Sequence, residues 1–469
     1  MANLTTQGRM AVVNPVVVLV HLAFAIVCAA PLRAQAAEYL HWRTRDNRVD
    51  ADIEHWRLAK VLQTLTLSTG WRVYIEPGIN PTVSTKFTNL SPSEALSRLL
   101  GDLSFALQRK PNQPTRLYIY TLSIGSATEL VEAPPDTPVV DAKGRFTREL
   151  VVSLKAGAGI SIEELAKKIG AKVVGKIDGS GTYRLEFESA DAADAARKTL
   201  AQEEEVSAVD SNYQIHRPPN PEALTLASPT PLRLTPAIGG NGGAPVIGLI
   251  DTAVQASGAG IQPFLLPQQN IAGDAASDNS TLNHGTAMAS TILRGMSFGN
   301  EGGSTAARIL PIDVYGQRES TSTYDVARGI AAAVQGGATI INLSLGSETD
   351  TPYLQRMISD LHSKGVMFVG AAGNEPTTAP SYPAAYPEVV AVTAGDRNGN
   401  LAEYANRGAF VDVVAPGSSI VNFGDRAFLG TGTSYSAAYV TGLAAGSATS
   451  SELTVQEVEA QIRAKLGKK

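Results

Sequence analysis

Three side chains in the C-terminal half of this 469-residue chain could together perform nucleophilic hydrolysis. Hydrolysis by an alcohol needs a hydroxyl, a base to take its proton, and an acid that holds the base in the right tautomer. Ser434, His284 and Asp251 supply these groups. Asp251 follows the apolar run 246–250, His284 opens an apolar helical pattern, and Ser434 follows glycines that lead into a helix of small residues. A hydroxyl at a helix start lies in a field that favours developing negative charge.

A fourth side chain could bind the oxyanion that such a reaction forms. Asn374 follows a buried strand pattern, so its amide and the backbone N–H of Ser434 could donate to that oxygen. Taken singly, an Asp at a strand end or a Ser before a helix is more often a turn or cap residue. His284 is a sharper signal, because residues 237–469 contain one other histidine, His362, which we expect to be a solvated surface residue.

The region around these side chains alternates apolar strand patterns with helical ones. This alternation predicts a parallel sheet covered by helices on both faces. The side chains that follow its strands then meet at one edge of the sheet. The predicted strands are Val246–Ile250, Ala307–Val314, Thr339–Leu343, Val366–Gly370 and Val389–Ala394, and the predicted helices are Asp325–Gln335 and Tyr353–Ser363.

The order and spacing of Asp251, His284, Asn374 and Ser434 resemble those of the subtilisin-like serine proteases, over roughly residues 240–465. The sequence departs from the family where Ala253 replaces a usual Gly, where Ala287 replaces a frequent second His, and where the Pro and His that commonly follow the Ser are missing. Further stretches that resemble the family are Ile341–Gly346, Ser381–Val392 and Val413–Gly417.

The resemblance implies a three-layer α/β catalytic domain with a mostly parallel sheet, and an endopeptidase with a triad of Asp251, His284 and Ser434. It implies Asn374 in the oxyanion hole, no cofactor for catalysis, and polypeptide substrates. Family members often bind calcium structurally, but no ligand set can be assigned here, and no metal site is predicted. The substrate-binding residues that the resemblance implies are Ser344, Leu345, Gly346, Ala371, Ala372 and Gly373.

The first 37 residues have the pattern of a signal peptide. Arg9 precedes the uncharged apolar run 11–32, and Ala34-Gln35-Ala36 has the small-x-small pattern of a cleavage site. An uncleaved membrane anchor is the alternative, since the run is long enough to span. We therefore expect an exported protein that is periplasmic, associated with the outer membrane, or extracellular. The sole cysteine, Cys28, excludes disulfide frameworks and thiolate zinc sites in the rest of the chain.

The order of helical and strand patterns in residues 38–124 predicts a small α+β domain. Ser91 and Glu94 form a capping-box pattern with Pro92 at the first helical position. The element order and the stretch 90–100 resemble the short N-terminal domain of secretins and TonB-dependent receptors, which implies an envelope protein partner. An unrelated small α+β domain is the alternative. The apolar face of the predicted helix is Ala95, Leu96, Leu99 and Leu100.

The strand and helix patterns in residues 146–216 predict a second α+β domain. Their order is β-α-β-β-α-β, as in the ferredoxin-like fold. Its final stretch, 206–213, resembles the end of the propeptide that precedes subtilisin-like catalytic domains. The resemblance implies that this domain is chaperone and inhibitor of its own catalytic domain, 237–469, with self-cleavage between 213 and 240. Two proline-rich linkers, 125–145 and 217–236, separate these units, and we expect the second to be flexible and accessible to proteases.

The charge composition disfavours one class of function, and two other classes remain as alternatives to a protease. The 39 basic and 44 acidic residues give a net charge of -5, so a dedicated nucleic-acid binder is disfavoured. A second hypothesis is an envelope interaction or signalling protein in which the protease domain is a degenerate scaffold. A lipase or esterase is a third, but its Gly-x-Ser-x-Gly elbow lacks the closing glycine here, because Ser436 stands at that position.

Overall fold

The computed structural model describes the chain from residue 39 to residue 467 with several gaps. The predicted signal peptide, 1–37, lies outside the described residues, and among those described no helix is long and apolar enough to cross a membrane. The described ranges are 39–43, 48–109, 115–131, 140–141, 143–225, 232–237, 243–274, 281–299, 303–396, 398–451 and 453–467.

The N-terminal unit packs two helices against two small sheets. The second helix begins with the predicted capping box: the Glu94 side chain accepts from the Ser91 N–H at 3.0 Å, and Ser91 accepts from the Glu94 N–H. Its four predicted apolar residues are all buried. The strands are β1 (Tyr39–Arg43), β2 (Arg48–Arg57), β3 (Arg72–Ile75), β4 (Thr82–Leu90), β5 (Ser104–Gln108), β6 (Arg116–Tyr120) and β7 (Glu129–Leu130), and the helices are α1 (Leu58–Thr69) and α2 (Pro92–Leu100).

The second unit is a four-stranded antiparallel sheet with two helices, in the order β-α-β-β-α-β. The strand order across the sheet is fourth, first, third, second. Its first helix begins with the predicted capping box of Ser161 and Glu164. The elements are β8 (Glu149–Leu154), α3 (Ile162–Lys168), β9 (Lys172–Ile177), β10 (Thr182–Glu186), α4 (Ala190–Leu200) and β11 (Val206–Asp210), followed by the short strands β12 (Gln214–His216), β13 (Glu222–Leu224) and β14 (Thr235–Pro236).

The C-terminal unit contains a seven-stranded sheet in which every pairing is parallel. The strand order is β16-β18-β15-β20-β21-β22-β23. The strands of this unit are β15 (Val246–Asp251), β16 (Gln269–Asn270), β17 (Ser304–Thr305), β18 (Arg308–Asp313), β19 (Ser320–Ser322), β20 (Ala338–Leu343), β21 (Met367–Ala371), β22 (Val389–Ala394), β23 (Val413–Ala415), β24 (Ser418–Phe423) and β25 (Arg426–Thr431).

Helices cover both faces of this sheet, which gives the expected three layers. One apolar core lies between the sheet and α5, α8 and α9, whereas the other lies between the sheet and α6 and α7. Burial on both faces explains why the strands are almost continuously apolar. The helices are α5 (His284–Gly299), α6 (Thr323–Gln335), α7 (Pro352–Ser363), α8 (Thr433–Ser450) and α9 (Val455–Leu466).

The second unit is joined to the C-terminal unit by a bound segment of chain. Strand β12 pairs antiparallel with β19, and β13 pairs antiparallel with β25. Ile215 and Pro221 are buried within it. The prediction of a flexible connection is therefore wrong for Arg217 and for residues 222–224, because their backbone groups pair with segments far away in the sequence. Part of the stretch is exposed, as the prediction of an accessible connection expected. We call residues 212–224 the strap.

Candidate active site

Asp251 ends the central strand β15, so its carboxylate leaves the sheet at the carboxyl edge of the parallel strands. The residue is completely buried. One carboxylate oxygen, Oδ1, accepts from the Thr252 backbone N–H at 2.7 Å. A buried carboxylate needs such partners, because an unpaired charge in the interior is costly.

His284 is the first residue of α5 and is 2% exposed. Its Nδ1 lies 2.8 Å from Oδ1 and 2.9 Å from Oδ2 of Asp251. A carboxylate at Nδ1 favours the tautomer that carries its proton there, and this leaves Nε2 as the acceptor. Asn283 fixes the start of the helix, because its Oδ1 accepts from the Thr286 N–H at 3.0 Å. The predicted acid and base are thus in direct contact.

Ser434 is the second residue of α8 and is 8% exposed. Its hydroxyl donates to the carbonyl oxygen of Ser344 at 3.2 Å, so in this structure it is turned toward the loop after β20. The next residue, Tyr435, packs edge-on against the His284 ring, with 6.2 Å between ring centroids. Ser434 is therefore one residue from a direct contact of the base. A serine side chain changes partner by rotation between staggered rotamers, and catalytic hydrogen bonds often tighten only when substrate binds.

Asn374 lies against the start of α8. Its Oδ1 accepts from the Thr433 N–H at 2.8 Å and from the Thr433 hydroxyl at 3.1 Å. Because the amide oxygen is held by these two donors, the amide nitrogen remains as a donor beside Gly432, two residues before Ser434. Gly432 makes this approach possible: its φ is +144°, and a Cβ there would lie 3.0 Å from Asn374 Nδ2. The first N–H groups of a helix lack internal partners, so Ser434 contributes to the same donor cluster.

The six predicted substrate-binding residues lie on two segments, one after β20 and the other at the end of β21 and just after it. Ser344, Leu345, Ala371 and Ala372 are buried, while Gly346 and Gly373 are partly exposed. The main chain of Gly373 is already bonded, because its N–H donates to the Thr433 hydroxyl at 3.0 Å and its carbonyl accepts from the Asn406 N–H at 3.0 Å. The role of these residues in substrate binding remains a prediction.

The helices that carry His284 and Ser434 cross with their backbones in contact. A Cβ at Gly442 in α8 would lie 2.0 Å from the Ile292 carbonyl oxygen, and one at Gly295 in α5 would lie 2.2 Å from the Tyr439 carbonyl oxygen. Only glycine allows this approach. The close approach of the two helices that carry His284 and Ser434 therefore depends on two glycines well away from both residues.

Sequence reasoning missed several residues that hold the site together. Ser344 donates to the Ser434 carbonyl oxygen at 3.0 Å and accepts from Asn342, whose own side-chain oxygen accepts from Thr441 in α8. These bonds tie β20 to α8, and no local pattern could have revealed them. His362 has a partner that the sequence did not reveal: its side chain is 31% exposed, and its Nε2 lies 3.1 Å from Oε2 of the buried Glu459.

Comparisons with known proteins agree with this fold. The Subtilase family model matches residues 242–466. The Fervidolysin N-terminal prodomain model matches residues 133–212, a stretch that contains the second unit. Subtilisin Savinase of Lederbergia lenta is 35% identical over 188 residues, which cover 38% of this chain and 70% of that protein. The chain belongs to the subtilase family, as its sequence motifs predicted.

Two further relatives match over a smaller share of their length. Thermitase of Thermoactinomyces vulgaris is 34% identical over 176 residues, 37% of this chain and 63% of that protein. A thermophilic serine proteinase of Bacillus sp. (strain AK1) is 38% identical over 167 residues, 35% of this chain and 42% of that protein. The matched segment thus spans less than two thirds of these two relatives.

Proposed function

We propose that this chain is an exported serine endopeptidase that hydrolyses peptide bonds through Asp251, His284 and Ser434. The observation that carries the proposal is the buried contact between Asp251 and His284 at the sheet edge where Ser434 and Asn374 also lie. An acid, a base, an alcohol and an amide donor in one place are the components of acyl transfer.

The reaction follows from these positions. The Ser434 hydroxyl rotates to His284, which takes its proton at Nε2 while the oxygen attacks the substrate carbonyl. Asp251 stabilises the imidazolium, and the Asn374 amide with the Ser434 N–H binds the tetrahedral oxyanion. His284 then gives the proton to the leaving amine, which leaves an acyl-serine. Water attacks this ester by the same route in reverse and releases the acid.

The substitution Ser434→Ala tests the proposal. The purified variant should hydrolyse no peptide, and a serine-directed phosphonate probe should label the wild-type chain at Ser434 but not the variant. Peptide hydrolysis that persists in the variant would contradict the assignment. If the folded and processed wild-type chain does not react with the probe, the alternative hypothesis of a degenerate protease scaffold is favoured. In that case Ser434 stays bonded to Ser344.

We further propose that the protein is a zymogen and that residues 146–216 are its propeptide domain, of the ferredoxin-like class. The strap supports this idea, because Asn220 Oδ1 accepts from the His284 backbone N–H at 3.1 Å. The strap thus runs beside the catalytic base between its two strand pairings, where a substrate would also have to lie. Ser434→Ala protein should remain a single uncleaved chain, and normal processing in a protease-free preparation would refute self-cleavage.

For the remaining chain we propose removal of residues 1–37 as a signal peptide and, for residues 38–124, a domain of the secretin and TonB-receptor type that binds an envelope protein. Export to the periplasm, the outer membrane or the medium follows from the signal peptide. N-terminal sequencing of protein recovered from each cell fraction tests these assignments. A mature protein that still begins at Met1 would contradict export by cleavage.

A further inference from the structure

Tyr435, the residue after the proposed nucleophile, packs against the proposed base. Its ring lies edge-on to the His284 imidazole, with 6.2 Å between the ring centroids and 73° between the ring planes. Aromatic pairs with this separation and angle attract each other. Successive side chains of a helix point about 100° apart, so Ser434 and Tyr435 leave α8 in different directions. The first turn of α8 therefore carries both the nucleophile and an aromatic neighbour of the base.

The His284 imidazole is hydrogen-bonded at one nitrogen. Its Nδ1 contacts both carboxylate oxygens of Asp251, and within the described part of the chain the ring has no other hydrogen-bond partner. A ring held through one atom can tilt about that bond, and Nε2, which must take the Ser434 proton, lies across the ring from it. A catalytic group has to be held within about 0.5 Å of its productive position. A second contact on the imidazole is therefore needed to restrict the tilt.

The Tyr435 ring reaches the base because residue 430 is a glycine. A Cβ at Gly430 in β25 would overlap Oη and Cζ of Tyr435. The Tyr435 side chain is 3% exposed and belongs to the apolar core on the α5 and α8 side of the sheet. Its ring therefore lies between strand β25 and His284, and any larger residue at position 430 would displace it.

The Tyr435 hydroxyl does not explain why this side chain is buried. Among the described residues its oxygen has no hydrogen-bond partner, although it is buried. Burial raises the pKa of the phenol, and the nearby Asp251 charge adds to the rise. A buried hydroxyl without a partner is unfavourable. The contribution of Tyr435 must therefore come from its ring, and a phenylalanine should serve equally well.

We propose that Tyr435 is a positioning residue for the catalytic base. Its ring holds the His284 imidazole against Asp251, with Nε2 toward Ser434, and keeps water away from the bond between acid and base. Charges interact more strongly where water is excluded, so the imidazolium formed in the reaction gains from the same contact. The inference rests on the proposed protease function and adds one residue to it. Tyr435 transfers no proton and acts only through His284.

Steady-state kinetics test the proposal in the active protein. Tyr435→Leu keeps an apolar side chain but removes the ring, so kcat per active site should fall about tenfold, the upper end of what an aromatic pair contributes. Active sites are counted by titration with the serine-directed phosphonate probe, so a loss of folded protein does not lower this value. KM should change by less than about twofold, since the contact does not involve the substrate. Tyr435→Phe should retain the kcat of the parent.

The matched control is Tyr439→Leu, which removes a tyrosine ring from the same helix. The Tyr439 ring packs on Phe298, with 5.9 Å between centroids, and not on His284. The kcat of this variant should equal that of the parent. An unchanged kcat in Tyr435→Leu, or a Tyr435→Phe variant as slow as Tyr435→Leu, would overturn the proposal. A raised KM with kcat retained would show that the ring contacts substrate instead, which also overturns it.

A second measurement does not depend on activity, so its failure is distinct from failure of the protease proposal. In the full chain with Ser434→Ala, the proton between His284 Nδ1 and Asp251 should give a far-downfield NMR signal. Exchange of this proton with water should be at least about tenfold faster in Tyr435→Leu and in Gly430→Ala, because water reaches the bond more often. Tyr435→Phe should leave the rate unchanged.

The two positions should act as one unit in this measurement. Gly430→Ala combined with Tyr435→Leu should exchange no faster than Tyr435→Leu alone, since both changes remove the same ring contact. If the leucine variant does not fold, Tyr435→Met replaces it. Additive effects, unchanged exchange in the leucine or methionine variant, or no downfield signal in the parent would refute the contact even if no peptide were cleaved.

Discussion

At the scale of single residues, the two ends of the Asn374 side-chain amide have different roles in the proposed site. The oxygen of Asn374 accepts from Thr433 at the start of α8, and this leaves the amide nitrogen as the donor that we propose for the oxyanion. In this proposal the same side chain positions the helix and supplies the donor. A substitution that preserves the first role while removing the second separates them.

We predict that Asn374→Asp lowers kcat on a peptide substrate by at least about 10² to 10³ fold, because a donor to the oxyanion becomes a carboxylate oxygen. The retained oxygen still accepts from Thr433, so the fold should persist. KM should change much less than kcat, since the lost interaction exists only in the transition state. Steady-state kinetics measure both. A variant that loses KM and keeps kcat would show that Asn374 binds ground-state substrate instead.

Some residues of the candidate site could be predicted from the sequence, and others could not. Asp251, His284, Asn374 and Ser434 could be chosen because each lies in a short motif at an element boundary, and the contact between Asp251 and His284 agrees with that choice. Ser344 could not be chosen as a partner of Ser434, since only the packed sheet brings them together. Asn220 was hidden in a proline-rich stretch that looked like a linker.

At the scale of elements, buried parallel strands were readily predicted, because their apolar runs are continuous and bounded by polar residues. The predicted strand Val389–Ala394 and the predicted end of helix Asp325–Gln335 match the structure. The strap strands could not be found in this way. Strand β12 has three residues and pairs with a segment about a hundred positions later, so it has no local periodicity. The glycine contact between α5 and α8 is equally non-local.

That helix crossing gives a prediction about stability. Gly442→Ala places a methyl group where the Ile292 carbonyl oxygen now lies, so the two helices must separate. Overpacking in a tight core costs about 1 to 3 kcal/mol, and contact with backbone atoms should bring the loss to the upper end of that range. Activity should fall as well, because His284 and Ser434 move apart.

Urea unfolding in the Ser434→Ala background, which prevents self-digestion, measures the loss of stability. Kinetics of Gly442→Ala in the otherwise unchanged chain measure the effect on activity. Ser447→Ala, at a partly exposed position of the same helix, is the matched control and should change the free energy of unfolding by less than about 0.5 kcal/mol, because it adds no atoms to the helix contact. Equal stability of the two variants would contradict the proposed role of the glycine contact.

At the scale of the whole molecule, the second unit and the C-terminal unit share a polar junction. Asn212 is completely buried. Its Oδ1 accepts from the Tyr324 N–H at 3.0 Å, at the start of α6, while its Nδ2 donates to Glu149 at 2.7 Å. Asp210 adds an ion pair with Arg356 at 2.6 Å. This junction connects the propeptide-like unit to helices α6 and α7 of the C-terminal unit through Asn212 and the buried carboxylate of Asp210.

Burial is the largest influence on Glu149 and raises the pKa of its carboxyl, although the Arg184 charge and the Asn212 bond act in the opposite direction and Asp325 and Glu186 add to the rise. The pKa is therefore higher in the folded, docked state than in the unfolded chain. A group of this kind contributes its full stability below its unfolded pKa, about 4.3 for Glu. That contribution is lost as the pH rises through the raised value, because a buried charge must then form.

We therefore predict that Glu149→Gln makes the full-length Ser434→Ala chain more stable than its parent at pH 7 to 8 and flattens the dependence of Tm on pH above about 4.3, the ordinary Glu pKa. Glutamine keeps an oxygen that accepts from Asn212 but carries no charge to bury. Thermal unfolding from pH 4 to 8 measures both effects, with Glu188→Gln, an exposed residue of the same unit, as the control. If Glu149→Gln instead lowered Tm most strongly at pH 8, the ionised carboxylate would be stabilising the junction, and attraction to Arg184 would outweigh the cost of burying the charge.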